Sequence, residues 1–317
     1  MRLVFLGTPE FAARSLEALA DARFDIALVI AQPDRPAGRG RTLTAPPVAR
    51  VARDRRLKLA QPENANAAGT IEELTALKPD LFVIVAYGLI LSPELLRVPR
   101  LGALNVHASL LPDYRGASPI ACAIEDGVAG TGVTTMWLDD GIDTGDMVLQ
   151  RYVPIDPEET AGELSDRLAH EGAKLLVDTL RAIEAGTAPR HPQDRNAGRY
   201  CRKLRKEQGA IDWSADAERV SRHVRAVTPW PGARAALGPV EVTIERARVF
   251  DLVARAAEPG SVLSAAEVGP SEGPVVACGR GAIELVRVRP AGKKSMAAGD
   301  WWRGMRASGG RFAQVSS

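Results

Sequence analysis

The residues best suited to chemistry lie at the end of one apolar run. Asn105 and His107 close this run, which is typical of a β-strand, and the turn Ser109–Pro112 follows. Because alternate side chains of a strand point to the same face, the Asn105 amide and the His107 imidazole share one face. A hydrogen-bond donor beside a group that titrates near neutral pH suits a reaction in which a carbonyl oxygen gains negative charge while a proton moves.

A loop rich in carboxylates follows a later strand-like run. Asp139, Asp140, Asp143 and Asp146 stand there among glycines. One of these carboxylates can hold the His107 imidazole in a single tautomer and orientation. Spacing alone does not separate the four. A single histidine at a strand end is more often structural, so the nearby loop is what favours a catalytic function.

Five motifs resemble one known family, the folate-dependent formyltransferases. The central motif is N-V-H-x-S-L-L-P-x-x-R-G, followed by the Gly-Ile-Asp-Thr-Gly loop. The other segments that carry the resemblance, in order along nearly the whole chain, are Phe5–Ala12, Gln32–Gly40, Val85–Ile90 and Pro290–Lys294. The resemblance implies a formyl transfer from 10-formyltetrahydrofolate, the formyl-donor cosubstrate, to the amino group of methionyl initiator tRNA.

The resemblance also implies roles for individual residues. It assigns catalysis to Asn105, His107 and, among the loop carboxylates, Asp143. It assigns folate binding to the turn and to the end of the most apolar strand, namely Ser109, Leu110, Leu111, Pro112, Tyr87 and Gly88. An ordinary strand-to-loop turn is the alternative for the first four of these residues.

Basic residues are expected to contact the tRNA. The Pro- and Gly-rich segment 32–43 is too irregular for helix or strand, and in the resembled family a basic insertion here enters the acceptor end of the tRNA. A solvated surface loop is the alternative. The expected tRNA contacts are Arg35, Arg39 and Arg41 in this loop, and Lys203, Lys206, Lys293 and Lys294 farther on.

The charge distribution agrees with a polyanionic partner. The 317 residues carry a net charge of +2, but residues 1–189 carry −7 and residues 190–317 carry +9. A basic rear half is typical of a surface that meets nucleic acid. The alternative is that the charges only keep a small domain in solution.

Strands alternate with helical segments through residue 189. This order predicts an α/β fold with a doubly wound, mostly parallel Rossmann-like sheet, and the candidate site lies beyond the carboxyl ends of its strands. Short strands with turn signals after residue 206 predict a small OB-like β-barrel. We therefore expect a catalytic domain at 1–189, a linker at 190–206 and a tRNA-binding domain at 207–317.

Composition sets further expectations. A hydrophobic fraction of 45% is that of an ordinary globular protein, and no run is long enough to span a membrane. The three cysteines predict neither a disulfide framework nor metal ligands, which suits a reducing cytoplasm. The four histidines lack metal-ligand spacing, so we expect no metal. The resemblance implies a monomer.

Three alternatives remain open. The same fold and cosubstrate could serve a small acceptor, such as an amino sugar nucleotide or glycinamide ribonucleotide, although such an acceptor needs no basic loop. Water could replace the amine, which would make the protein a hydrolase that releases formate. A nucleic-acid-binding protein with an inactive first domain would bind tRNA without turning over folate.

Overall fold

The computed structural model describes residues 1–37, 42–251, 257–305 and 309–314. The chain forms two compact units, and three stretches of chain contribute to each. Unit 1 comprises residues 1–116, 130–154 and 165–200. Unit 2 comprises residues 117–129, 155–164 and 201–317.

A mostly parallel sheet organises unit 1. Its described strands run in the order β10-β9-β7-β6-β1-β2-β5, antiparallel at β9 and β10 and parallel elsewhere. The first ten strands of the chain are β1 (Arg2–Gly7), β2 (Asp25–Ile30), β3 (Arg35–Ala37), β4 (Thr42–Thr44), β5 (Leu59–Ala60), β6 (Leu81–Val85), β7 (Ala103–His107), β8 (Arg115–Gly116), β9 (Gly130–Trp137) and β10 (Met147–Pro154).

Helices separate these strands, as a doubly wound fold requires. Along β1, Leu3 and Phe5 join one apolar cluster while Val4 and Leu6 join another, so the sheet is buried on both faces. This confirms the predicted fold class of the first part of the chain. The helices are α1 (Glu10–Asp21), α2 (Pro47–Asp54), α3 (Ala68–Ala76), α4 (Pro93–Leu96), α5 (Pro119–Asp126) and α6 (Ala161–Glu184).

An antiparallel sheet organises unit 2. Its described strands run in the order β14-β15-β13-β12-β17, with β16 paired to β15, and the register of β13 shifts on both sides of Arg246. Such bulges bend a strand, and the curled sheet is the half-barrel that the predicted OB-like domain requires. The remaining strands are β11 (Tyr200–Cys201), β12 (Ala233–Leu237), β13 (Val240–Phe250), β14 (Val275–Ala277), β15 (Ala282–Pro290), β16 (Met296–Ala297) and β17 (Phe312–Gln314).

Large aromatic side chains fill the core of unit 2. The ring of Trp213 lies 5.5 Å from that of Phe312, and Trp301 lies 6.3 Å from Phe312. Val220 and Val224 pack onto this cluster from one helix. The described helices of this part are α7 (Ala217–Ala226), α8 (Ala265–Val268) and α9 (Ala298–Met305), with a 3₁₀ turn at Lys206–Gly209.

Several sequence-based expectations of local structure were wrong. The segment 32–43 is not wholly irregular, because β3 and β4 pair as an antiparallel hairpin. The apolar stretches that begin at Val240 and Val249 are not two short strands but parts of one long strand, β13. The stretch that begins at Ser261 forms only isolated bridges, at Ser261 and Val262. β13 pairs with β12 and β15, and this pairing keeps the strand continuous through residues that lack the apolar–polar alternation of a strand.

The expectation for the cysteines was also wrong. Cys122 and Cys201 form a disulfide within unit 2, with their Cα atoms 6.3 Å apart and a sequence separation of 79. Cys278 is free and buried. Cysteines this far apart carry no pairing signal in a single sequence, since connectivity depends on the fold that brings them together.

Candidate active site

Asn105 and His107 occupy the carboxyl end of β7. Asn105 lies opposite Ile84 of β6 on one side and Met136 of β9 on the other. The Asn105 side chain is half-buried, and within the described residues its amide has no hydrogen-bond partner. An amide held on a rigid strand with its donors unused is ready to bind an incoming oxygen.

The His107 ring lies between two acceptors. Its Nε2 lies 2.9 Å from the backbone carbonyl of Tyr114, and its Nδ1 lies 3.6 Å from Oδ2 of Asp143. A carbonyl can only accept, so Nε2 is the donor in its contact, and Nδ1 is the ring nitrogen that faces the carboxylate. The ring is 7% exposed, and these two contacts fix its orientation.

Asp143 is held by its side chain and by its backbone. Its Oδ2 accepts a hydrogen bond of 2.8 Å from the backbone N–H of Gly116. No described residue hydrogen-bonds its other oxygen, Oδ1. The φ angle of Asp143 is +55°, a left-handed conformation that aspartate tolerates better than most residues. The structure thus places Asp143 against His107 and leaves Oδ1 without a hydrogen-bond partner among the described residues.

The other loop carboxylates have different partners. Asp139 accepts hydrogen bonds from the Gly141 N–H at 3.0 Å and the Thr144 hydroxyl at 2.8 Å, which close the loop on itself. Asp146 lies 3.4 Å from the Arg190 guanidinium. Asp140 is exposed. Only Asp143, of the four, contacts His107 in the described structure.

The Ser109–Pro112 turn is held by side chains that the sequence did not single out. The Thr134 hydroxyl donates to the Ser109 carbonyl at 2.7 Å and accepts from the Leu111 N–H at 3.2 Å. Gln150 donates to the Leu111 carbonyl at 2.8 Å. Thr134 lies opposite His107 in the sheet, so β9 supports the histidine and the turn together. A threonine in a strand is too common to signal this function.

The predicted folate-binding residues differ in exposure. Leu110 and Pro112 are half-buried, whereas Ser109 and Leu111 point into the protein. The Tyr87 ring is 2% exposed, and its hydroxyl has no partner among the described residues. Next to it, Gly88 has a φ of +87°, which favours glycine.

The predicted tRNA contacts lie on the surface where they are described. Arg35 is exposed on β3, whereas Arg39 and Arg41 lie outside the described residues. Lys203, Lys206, Lys293 and Lys294 are all exposed. Exposed cations of this kind remain available to phosphates.

The described residues lack two kinds of feature. No described helix has the length and apolar character needed to cross a bilayer. No group of histidine, cysteine and carboxylate side chains in the described part of the chain has the arrangement of a metal site.

Comparisons with known proteins match the whole length of the chain. The formyl transferase family matches residues 1–180, and the formyl transferase C-terminal domain matches residues 203–306. The methionyl-tRNA formyltransferase of Aromatoleum aromaticum is 44% identical over 317 residues, which are 100% of this chain and 98% of that protein.

Two solved structures share the fold at 19% identity. An N-formyltransferase from Helicobacter canadensis, in complex with folinic acid and dTDP-3-aminofucose, has a TM-score of 0.68 over 90% of this chain and 99% of that chain. HypX from Aquifex aeolicus, in complex with tetrahydrofolic acid, has a TM-score of 0.64 over 95% of this chain. The present chain spans about half of the HypX chain, 46% of its length.

Proposed function

This chain belongs to the formyltransferase family, and we propose that Asn105, His107 and Asp143 form its catalytic centre. It is an enzyme that formylates methionyl-tRNA with a formyl-folate as cosubstrate. The finer part of the proposal is that the donor is 10-formyltetrahydrofolate and the acceptor is the α-amino group of methionine on initiator tRNA. The observation that carries it is the Asn105 amide, which has no hydrogen-bond partner among the described residues and lies on the same strand as His107, whose Nδ1 faces Asp143.

Asn105 would stabilise the charge that develops on the formyl oxygen. As the amine attacks the formyl carbon, that oxygen gains negative charge, and the free Asn105 N–H groups can donate to it. A preorganised donor of this type contributes about 3–4 kcal/mol to lowering a barrier. Because β7 lies between β6 and β9, the donor needs little reorganisation during the reaction.

His107 and Asp143 would handle the proton. The free Oδ1 of Asp143 can accept a proton from the attacking amine and pass it towards N10 of the folate, while Oδ2 stays on the Gly116 N–H. His107, protonated on both nitrogens, would balance the carboxylate charge and strengthen the polar environment of the formyl oxygen. Its direct contact with Tyr114 fixes the ring for this purpose.

The Ser109–Pro112 turn and the Tyr87–Gly88 bend would bind the folate. Leu110 and Pro112 are open enough to contact a flat ring, and Gly88 lets a ligand approach the backbone closely. Ser109, Leu111 and Tyr87 are buried, so they would shape this surface from beneath. In this proposal the cosubstrate supplies the formyl group, and the chain supplies the donor, the proton acceptor and the pocket wall.

The basic residues would bind the tRNA. Arg35, Arg39 and Arg41 would contact its acceptor end, while Lys203, Lys206, Lys293 and Lys294 would contact phosphates from the region after residue 200. The proposal divides the chain into a catalytic domain at 1–189, a connecting segment at 190–206 and a tRNA-binding domain at 207–317. The enzyme would act as a monomer in the cytoplasm.

Two substitutions at Asn105 test the catalytic assignment. Asn105→Ala removes the donor, and Asn105→Asp replaces it with an acceptor of the same size. We expect kcat to fall about 100- to 1000-fold in the first and at least as far in the second. Asn196→Ala, which shortens an exposed amide, is the matched control and should leave kcat unchanged. A folded Asn105→Ala variant with nearly normal kcat would contradict the assignment.

A further inference from the structure

Residues 190–197, here called the 190–197 segment, lie along the loop that carries Asp143. Arg190 lies 3.4 Å from Asp146, with its guanidinium 4.9 Å from the centre of the Trp137 ring. His191 exchanges two backbone hydrogen bonds of 2.9 Å with Met147. The segment belongs to unit 1, which also contains the catalytic loop.

Gln193 is the residue of this segment that hydrogen-bonds directly to the backbone of the catalytic loop. Its Nε2 donates to the carbonyl of Asp143 at 3.0 Å and to the carbonyl of Gly145 at 2.7 Å. The flanking ion pairs, Arg190–Asp146 and Arg195–Asp139, involve arginines that are 61% and 74% exposed. Exposed ion pairs of this kind stabilise little, so the half-buried Gln193 is the stronger constraint on the loop.

Arg115 fixes Gln193 from the other side. The Oε1 atom of Gln193 accepts from Nε and Nη2 of Arg115 at 3.1 and 2.8 Å. The same guanidinium donates to the backbone carbonyls of Asp194, Arg195 and Ala197. Arg115 is 6% exposed, so its hydrogen bonds are made in a largely dry environment, where they are strong.

Asp143 is therefore held from two directions by one short piece of chain. The Gly116 N–H holds its carboxylate, and the preceding residue, Arg115, holds its backbone carbonyl through Gln193. A left-handed backbone at a non-glycine residue persists only where its surroundings maintain it. These contacts supply that support at the residue that meets His107.

We infer that Gln193 is a positioning residue for the catalytic carboxylate, with Arg115 as its anchor. Gln193 would not contact the reacting atoms itself. It sets the backbone of Asp143, and thereby the 3.6 Å approach of Oδ2 to His107 and the direction of the free Oδ1. The inference rests on the proposed function, because it assigns Gln193 to the formyl transfer that Asp143 serves.

The chemistry of the side chain explains why an amide is needed at residue 193. An amide donates twice through nitrogen and accepts twice through oxygen, and all four possibilities are used here. A carboxylate of the same size could still accept from Arg115 but could not donate to the two loop carbonyls. Gln193→Glu therefore removes the contact with the catalytic loop and keeps the one with Arg115.

The test measures formyl transfer by the full chain from 10-formyltetrahydrofolate to methionyl initiator tRNA. We expect kcat to fall about 10- to 100-fold in both Gln193→Ala and Gln193→Glu, because small displacements of a catalytic group have effects of this size. KM for both substrates should stay close to that of the exposed control, Asn196→Ala. Wild-type kcat in either Gln193 variant would overturn the inference, as would a loss confined to KM.

A double-mutant comparison separates positioning from a general structural role. If Gln193 acts through Asp143, adding Gln193→Ala to Asp143→Ala should leave the residual rate unchanged within about twofold. A further fall by the full factor of the single variant would contradict the inference. Failure of the proposed function has a different result, since wild-type enzyme would then not formylate the tRNA, or Asp143→Ala would retain full activity.

Discussion

Replacing Thr134 by valine should loosen the turn that precedes Pro112. Valine keeps the shape of threonine but removes the hydroxyl, which contacts the Ser109 carbonyl, the Leu111 N–H and Gln150. Ser109 and Leu111 are 0% and 3% exposed, so water does not replace these hydrogen bonds. The substitution should therefore affect both the stability of unit 1 and the binding of folate.

The number of buried polar groups left without a hydrogen-bond partner determines how much stability Thr134→Val loses. Each such group costs about 1–3 kcal/mol, and Thr134→Val leaves two of them, the Ser109 carbonyl and the Leu111 N–H. Gln150 still reaches the Leu111 carbonyl at 2.8 Å and limits the disorder of the turn. We expect a loss of about 2–4 kcal/mol in the free energy of unfolding, together with a higher KM for the folate.

Thr131 provides a matched control in the same strand. Its hydroxyl is buried without a hydrogen-bond partner in the described structure, so Thr131→Val removes no hydrogen bond and no unpaired group is created. Its stability should be equal to or greater than that of wild type, with KM unchanged. Urea unfolding of the two variants, with folate titrations of the rate, measures the difference. Equal stability of the two variants would refute the reasoning about the turn.

Three further outcomes are expected. Burial opposes ionisation of Glu284, but the N–H of Gly273, the Arg248 guanidinium and the N–H of Glu272 outweigh it and hold its pKa below the usual 4.5. Wild type should therefore have a larger free energy of unfolding than Glu284→Gln, with the full difference present above about pH 4.5 and lost as pH falls through the lowered pKa. Urea unfolding across this pH range measures the difference, and a difference that does not change with pH would contradict the prediction. Thiol titration without reductant should find no reactive thiol in the native protein, where burial raises the pKa of Cys278 to about 12, and one after unfolding; three thiols would exclude the disulfide. Binding of tRNA should weaken steeply with salt, and a flat response in filter binding would remove the phosphate contacts from the proposal.

Hydrophobic periodicity and local motifs were sufficient to predict the fold of unit 1. Near-continuous apolar runs such as Leu81–Val85 are typical of strands buried on both faces, and the structure places this run beside β1 and β7. Asn105 and His107 could be placed on one strand face because the period of a strand is two. Asp143 needed the family resemblance, since four carboxylates in one loop are equivalent by spacing.

Contacts between residues far apart in the chain could not be predicted from the sequence. The roles of Gln193 and Arg115 depend on contacts across a sequence separation of 78, and nothing in a polar Pro-containing segment signals this. The Cys122–Cys201 disulfide is hidden for the same reason. The Ala-rich strand β12 lacks strand formers, and pairing with β13 on one side and β17 on the other determines its conformation.

The most direct test of the central claim offers the enzyme two acceptors in parallel. Wild-type chain is supplied with 10-formyltetrahydrofolate and either methionyl initiator tRNA or free methionine, and formylated product and free formate are measured. We predict rapid formylation of the charged tRNA, little transfer to free methionine, and loss of tRNA formylation in Asn105→Ala. Formate release without formylated tRNA, or transfer that survives Asn105→Ala unchanged, would contradict this prediction.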